Sequence, residues 1–230
     1  MAYQNGPKIV TDSLVMCLDA GNPKSYSGSG TVWTDLSGNN KNGILTHGPT
    51  FSSANGGSIA FDGTDDHIAG STFTGLGSSN RTADVWFQIR SLPASSIWKR
   101  VFTLAADNGS TDAPALMFSY SNTLSSLTAG FGGSPYNGYV GVGFTLSTWI
   151  NLTATIIGNN ISAYKNGILI GGTTNSGAVG ANPILYLGRY NNHYGQYADT
   201  TISSVRIYDK ALSASEVLQN YNATKGRFKL

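Results

Sequence analysis

Short apolar or alternating runs, punctuated by Gly, Asn, Ser and Pro, recur along this chain, and helical periodicity is nearly absent. A chain of this kind can bury its apolar residues only by stacking strands face to face. Strand signals fall at 14–18, 58–61, 82–89, 101–104, 115–120, 149–157, 161–165, 168–171, 184–187 and 201–208. In the 149–157 run, Ile150, Leu152, Ala154 and Ile156 share one face, while Asn151, Thr153 and Thr155 share the other. That alternation predicts one core face and one wet face. Asn166-Gly167 separates two apolar runs and predicts a tight hairpin, because both central positions of a type I′ turn need positive φ. The runs differ in length and the connections between them are long, which favours two antiparallel sheets over a closed barrel.

One helix interrupts the pattern near the end of the chain. Ser213 and Glu216 have the spacing of a capping box, in which each side chain satisfies a free backbone N–H of the first turn. Ahead of them Val205 and Ile207 alternate with Ser204 and Arg206 as in a half-buried strand, and Asp209 and Lys210 turn the chain. Beyond the helix Lys225, Arg227 and Lys229 crowd together. They read as a solvated tail, or as a contact for an acidic neighbour in an assembly.

At 230 residues the chain suits a single domain over 1–230, with a core at about 14–222 and a basic tail at 223–230. A net charge of +2 provides no clustered basic face, so neither nucleic acid nor an anionic membrane is an expected partner. No apolar run reaches the roughly 20 residues that span a bilayer. The first residues, MAYQNGPKIV, lack the charged and apolar regions of a secretory signal, which points to synthesis in a cytoplasm. The single cysteine, Cys17, sits in an apolar run and reads as a small core residue.

Glycoside hydrolysis commonly needs two carboxyl groups flanking the scissile bond. This chain has eleven aspartates and one glutamate, Glu216, which the helix cap already uses. No strand carries two carboxylates at alternate positions, and His47, His67 and His193 show no metalloprotease spacing, so an enzyme is not expected. Contact chemistry concentrates in loops instead. Arg189, Tyr190, Asn191, Asn192, His193, Tyr194 and Tyr197 crowd flat rings beside hydrogen-bonding groups, a composition suited to sugar or protein contact. Tyr136 and Tyr139 form a second candidate surface.

Several motifs carry a resemblance. The closing segment ISSVRIYDKALSASEVLQN resembles that of the laminin-G-like branch of the concanavalin A-like jelly rolls. So do, in order, the stretches beginning at Leu18, Trp33 and Phe61, then Tyr164-Lys165-Asn166-Gly167 and Leu187-Gly188-Arg189. The resemblance implies an all-β, two-sheet antiparallel jelly-roll sandwich with one short C-terminal helix. It also implies a structural calcium ion at the sandwich rim, held by Asp62, Asp65 and Asp66 with Asp19, Asp35 and Asn39 as companions; the same residues equally suit turns. The ending NYNATKGRF is similar to that of structural proteins of tailed bacteriophages which carry this domain. The expectation that follows is a non-enzymatic virion subunit displayed on capsid or tail, at the virion surface. Its partners would be other virion proteins, host-surface glycans and further copies of itself. A free carbohydrate-binding lectin module is the first alternative, and a polysaccharide-degrading enzyme the second.

Overall fold

The computed structural model describes residues 7–74, 76, 80–105, 115–122, 127–132, 138–174, 182–190 and 196–230. Along them run β1 Leu14–Asp19, β2 Val32–Trp33, β3 Gly43–Thr46, β4 Thr50–Ser52, β5 Ser58–Asp62, β6 His67–Thr72, β7 Asn80–Ile89 and β8 Lys99–Ala105. The second half adds β9 Ala115–Tyr120, β10 Leu127–Gly132, β11 Tyr139–Val142, β12 Ile150–Ile157, β13 Asn160–Lys165, β14 Ile168–Thr174, β15 Ile184–Leu187 and β16 Asp199–Tyr208. The helix α1, Ala214–Thr224, and a short 3₁₀ turn, Lys225–Phe228, close the chain.

The strands form two antiparallel sheets, confirming the sandwich. The first has the order β14-β13-β12-β7-β16-β5-β4, and the second β11-β10-β9-β8-β15-β6-β3-β2. On the edge of β16 away from β7, Asp199 to Ile202 pair with β5, and Ser204 to Tyr208 then pair with β1. Ile150, Leu152, Ala154 and Ile156 point into the core, as their alternation predicts, alongside Ala83, Val85 and Phe87 of β7. Phe102, Leu116, Phe118, Leu127 and Leu185 meet them from the second sheet. The Phe87 and Phe118 rings bridge the sheets at 6.5 Å. Asn166 and Gly167 take φ of +52° and +79°, the positive pair that the hairpin requires. The capping box of Ser213 and Glu216 is also present.

The outer face of β12 is not wet, which corrects the sequence reading. Asn151, Thr153 and Thr155 are buried beside Asp84, Trp86, Ser204 and Arg206, because α1 and the 3₁₀ turn lie across them. Asp84 Oδ2 receives Arg206 Nη1 at 3.1 Å and Asn220 Nδ2 of the helix at 3.3 Å. Its Oδ1 receives Asn151 Nδ2 and Thr153 Oγ1. Burial works against the Arg206 charge, but the facing carboxylate more than offsets it, and the guanidinium holds its proton more tightly than usual. Asn220 extends the network by donating to Tyr208 Oη at 3.0 Å and accepting from the Val10 amide at 2.8 Å.

Arg227 and Phe228 of the basic tail are likewise packed rather than solvated, while Lys229 is exposed. Phe228 stacks on Trp86 at 4.1 Å and lies 4.7 Å from Trp149, while Trp86 Nε1 donates to Thr224 Oγ1. Arg227 pairs with Asp19 at 2.8 Å and donates to the Gly56 carbonyl. Arg227 thus has an acidic neighbour, Asp19, within its own chain. Cys17 is buried as expected, and burial pushes its thiol up to about 11, so it is inert at neutral pH.

Replacing Asp84 by Ala strands a buried guanidinium, and urea unfolding should report a loss of about 3–5 kcal/mol. The double change Asp84→Leu with Arg206→Met should recover most of it; a loss under about 1 kcal/mol in the single variant contradicts the pinning role. Phe228→Ala should cost about 3 kcal/mol in the same assay by opening the cap over Trp86 and Trp149.

Candidate functional site

At one end of the sandwich, β5 turns into β6 through Asp62-Gly63-Thr64-Asp65-Asp66. Asp62 Oδ1 gathers the turn by accepting the Thr64 N–H at 2.8 Å, with Asp65 and Asp66 N–H at 3.4 and 3.5 Å. Those N–H groups, Thr64 foremost, hold its carboxyl below the usual carboxylate range. Gly63 takes φ of +79°, and a Cβ there would lie 3.0 Å from the Asp199 backbone, so the turn can close against β16 only with glycine. Asp66 reaches back to accept the Asp62 N–H at 3.0 Å, and burial pushes its carboxyl up.

The next residue ties this turn to the second predicted group. His67 Nδ1 lies 2.8 Å from the Asp65 carbonyl, which can only accept, so Nδ1 carries the proton and Nε2 receives Arg189 Nη1 at 3.0 Å. Burial pushes this imidazole below its ordinary range, keeping it neutral at pH 7. Tyr197 packs beside the same ring at 5.9 Å and His47 at 5.4 Å. Gly188 permits the approach, since a Cβ at its φ of +76° would lie 2.9 Å from the Phe61 ring. The Asp62–Asp66 turn and the Arg189–Tyr197 stretch, read separately from the sequence, therefore meet.

Between them a cleft of about 150 Å³ opens at the sandwich mouth, lined by Asp62, Gly63, Ser91, Pro93, Lys99, Tyr120, Tyr197 and Asp199. The first sheet supplies Asp62 and Asp199 from strand ends, and the second supplies Lys99 and Tyr120. Asp199 is held through both oxygens, Oδ1 by Arg90 Nε at 2.7 Å and Oδ2 by the Ser91 hydroxyl. Tyr120 Oη donates to its carbonyl. Sequence reasoning missed Ser91, Lys99, Tyr120 and Asp199, which carry no shared spacing and converge only through the fold.

Other predicted residues stand elsewhere. Tyr190 is buried against Ala105 and Met117, with the Arg100 guanidinium 5.3 Å from its ring, so it packs rather than presenting a contact face. Arg189 is similarly buried, over the Tyr186 ring at 5.4 Å. Tyr139 is 56% exposed on the edge strand β11, apart from the cleft. Asn191, Asn192, His193, Tyr194 and Tyr136 lie outside the described residues.

The acidic set divides in the same way. Asp62, Asp65 and Asp66 bring carboxylate oxygens within 4.8 Å of one another, an all-oxygen donor set on a loop that fits a hard cation such as calcium. Asp19 and Asp35 do not join them. Asp19 is engaged by Arg227 and the Gly21 N–H. Asp35 spends its oxygens on the Cys17, Ser37 and Lys41 N–H groups, fixing a loop, and Asn39 donates to the carbonyls of Leu14 and Val15.

Solved structures share this architecture at low identity. The sialidase of Trypanosoma rangeli in complex with sialic acid aligns with a TM-score of 0.70 at 14% identity, over 94% of this chain and 33% of the sialidase. Its covalent intermediate with 2,3-difluorosialic acid gives 0.72 at 15%, over 94% and 34%. The binding domain of Paraclostridial Mosquitocidal Protein 1 gives 0.65 at 17%, over 92% and 52%. The chain thus spans about a third of the length of the sialidases it matches. No curated protein sequence matches it. These likenesses correct the expectation of a virion structural subunit: the structures just named are sialidases and the binding domain of a mosquitocidal protein, none of them a capsid or tail protein. The family model of the concanavalin A-like lectin/glucanases superfamily, of laminin G type, matches residues 62–218, and the chain belongs to that superfamily.

Proposed function

We propose that this chain is a lectin-type carbohydrate-binding module whose contact site is the cleft at the sandwich mouth. The observation that carries this reading is the meeting of the Asp62–Asp66 turn with Tyr197 around one concave, mixed-polarity opening. A sugar ring needs acceptors and donors for its hydroxyls and an apolar surface for its C–H face. Asp62 Oδ2 and the lone pairs of the Tyr120 and Ser91 hydroxyls accept, Lys99 donates, and Pro93 and the Tyr197 ring provide the apolar surface.

Binding is favoured over cleavage by the state of the carboxylates. Hydrolysis by an acid and base pair needs one carboxyl held protonated and another free to act. Asp62 is held ionised by the turn amides, and Asp199 is engaged at both oxygens. Calcium bound by Asp62, Asp65 and Asp66 would stiffen the turn beside the cleft and offset its negative charge.

On a glycan array the protein should bind a restricted set of saccharides, and Tyr197→Ala should weaken the strongest of them at least about tenfold, or 1.4 kcal/mol, with the melting temperature nearly unchanged. Full binding by the variant, or no binding to any saccharide, contradicts the reading. Calcium added to chelator-treated protein at about 100 times its Kd should stabilise it by about 2.7 kcal/mol in thermal unfolding, and should fail to do so in Asp65→Asn. An unchanged melting curve in the parent protein removes the cation from the account.

A further inference from the structure

Lys99 stands in the cleft wall with a partly buried side chain, and among the described residues no carboxylate, carbonyl or hydroxyl meets its ammonium. Of the other semi-buried lysines, Lys225 lies over the Tyr221 ring and the rest have oxygen partners. Lys210 is paired with Asp12 and Glu216, Lys41 donates to the Thr72 carbonyl, and Lys165 donates to the Gly143 carbonyl. Removal from water without a compensating acceptor disfavours the charged form of Lys99 and lowers its proton affinity, whereas the partners of Lys210 raise that of Lys210.

The two carboxylates that line the cleft with it are committed elsewhere. Asp199 is closed off by Arg90 and Ser91, and Asp62 turns Oδ1 into its own loop. An anionic group bound in the cleft would supply that acceptor. Resting on the carbohydrate-binding reading, we infer that the cleft selects acidic saccharides, taking the sugar carboxylate on Lys99 and a neighbouring hydroxyl on Asp62. An anion satisfies a desolvated ammonium better than a neutral hydroxyl does, because charge-assisted hydrogen bonds are about twice as strong. A doubly charged phosphate fits less well, since the carboxylates of Asp62 and Asp199 line the same opening. A singly charged carboxylate on a hydroxyl-bearing ring meets both signs of charge at once, with its flat face toward Pro93 and Tyr197.

Calorimetric titration with a trigalacturonate and with sialyllactose, each set against its carboxyl-reduced counterpart, tests this directly. At least one acidic probe should bind the parent protein ten or more times as tightly as its reduced form. Lys99→Gln should bring that ratio close to one, and Lys99→Arg should keep most of it. Equal affinity for acidic and reduced forms in the parent, or an undiminished ratio in Lys99→Gln, overturns the inference and leaves the carbohydrate reading standing. Binding of neutral array sugars alone has the same consequence. Failure of every saccharide, acidic or neutral, overturns both.

Discussion

Asp84 and Arg206 face one another beneath the C-terminal helix, both almost wholly removed from water. Desolvating two charges is expensive, and their attraction repays it only where further hydrogen bonds satisfy the remaining atoms. Asn151 and Thr153 from the neighbouring strand and Asn220 from α1 supply those bonds to the carboxylate. The pair thereby joins strands that are distant in sequence to the element that covers them. With Phe228, Trp86 and Trp149 packed alongside, the central strands β12, β7 and β16 of the first sheet are buried on both faces. That surface is lost to ligands, and the sandwich rim and the exposed edge strand β14 remain for recognition.

At the mouth, close backbone approach decides the geometry. Gly63 lets the β5–β6 turn sit against the first residue of β16, and Gly188 lets the chain after β15 pass the Phe61 ring. His67, neutral and proton-bearing on Nδ1, then joins the two loops by receiving the Arg189 guanidinium. Rigid strand ends thus hold polar side chains around a small opening, the arrangement in which loops on a fixed scaffold acquire binding roles.

Much of the scaffold was legible in the sequence. The core face of β12, the Asn166-Gly167 hairpin and the helix cap each rest on local chemistry, and each stands as read. The outer face of β12 was misread because alternation records polarity, and Asn151 and Thr153 are polar as partners of Asp84, 67 and 69 residues away. Strands β2, β3, β4 and β11 have only two to four residues, and β6 and β10 carry Gly, Ser or Thr where a strand signal needs bulk. The candidate site was legible only in halves. Tyr197 stood out by loop composition and Asp62 by a family-like motif, but Lys99, Tyr120 and Asp199 sit at strand ends that only the sheet order brings together. Tyr190 shows the opposite error, an aromatic loop residue that serves packing.

The central claim is that the sandwich mouth, and no other surface, receives a saccharide. Amide chemical-shift mapping by NMR during titration with a bound sugar tests it most directly. The account predicts shifts concentrated at Asp62, Gly63, Ser91, Lys99, Tyr197 and Asp199, with β14 and α1 unmoved. Shifts centred on Tyr139 or on the outer edge of β14, with the mouth silent, would contradict it.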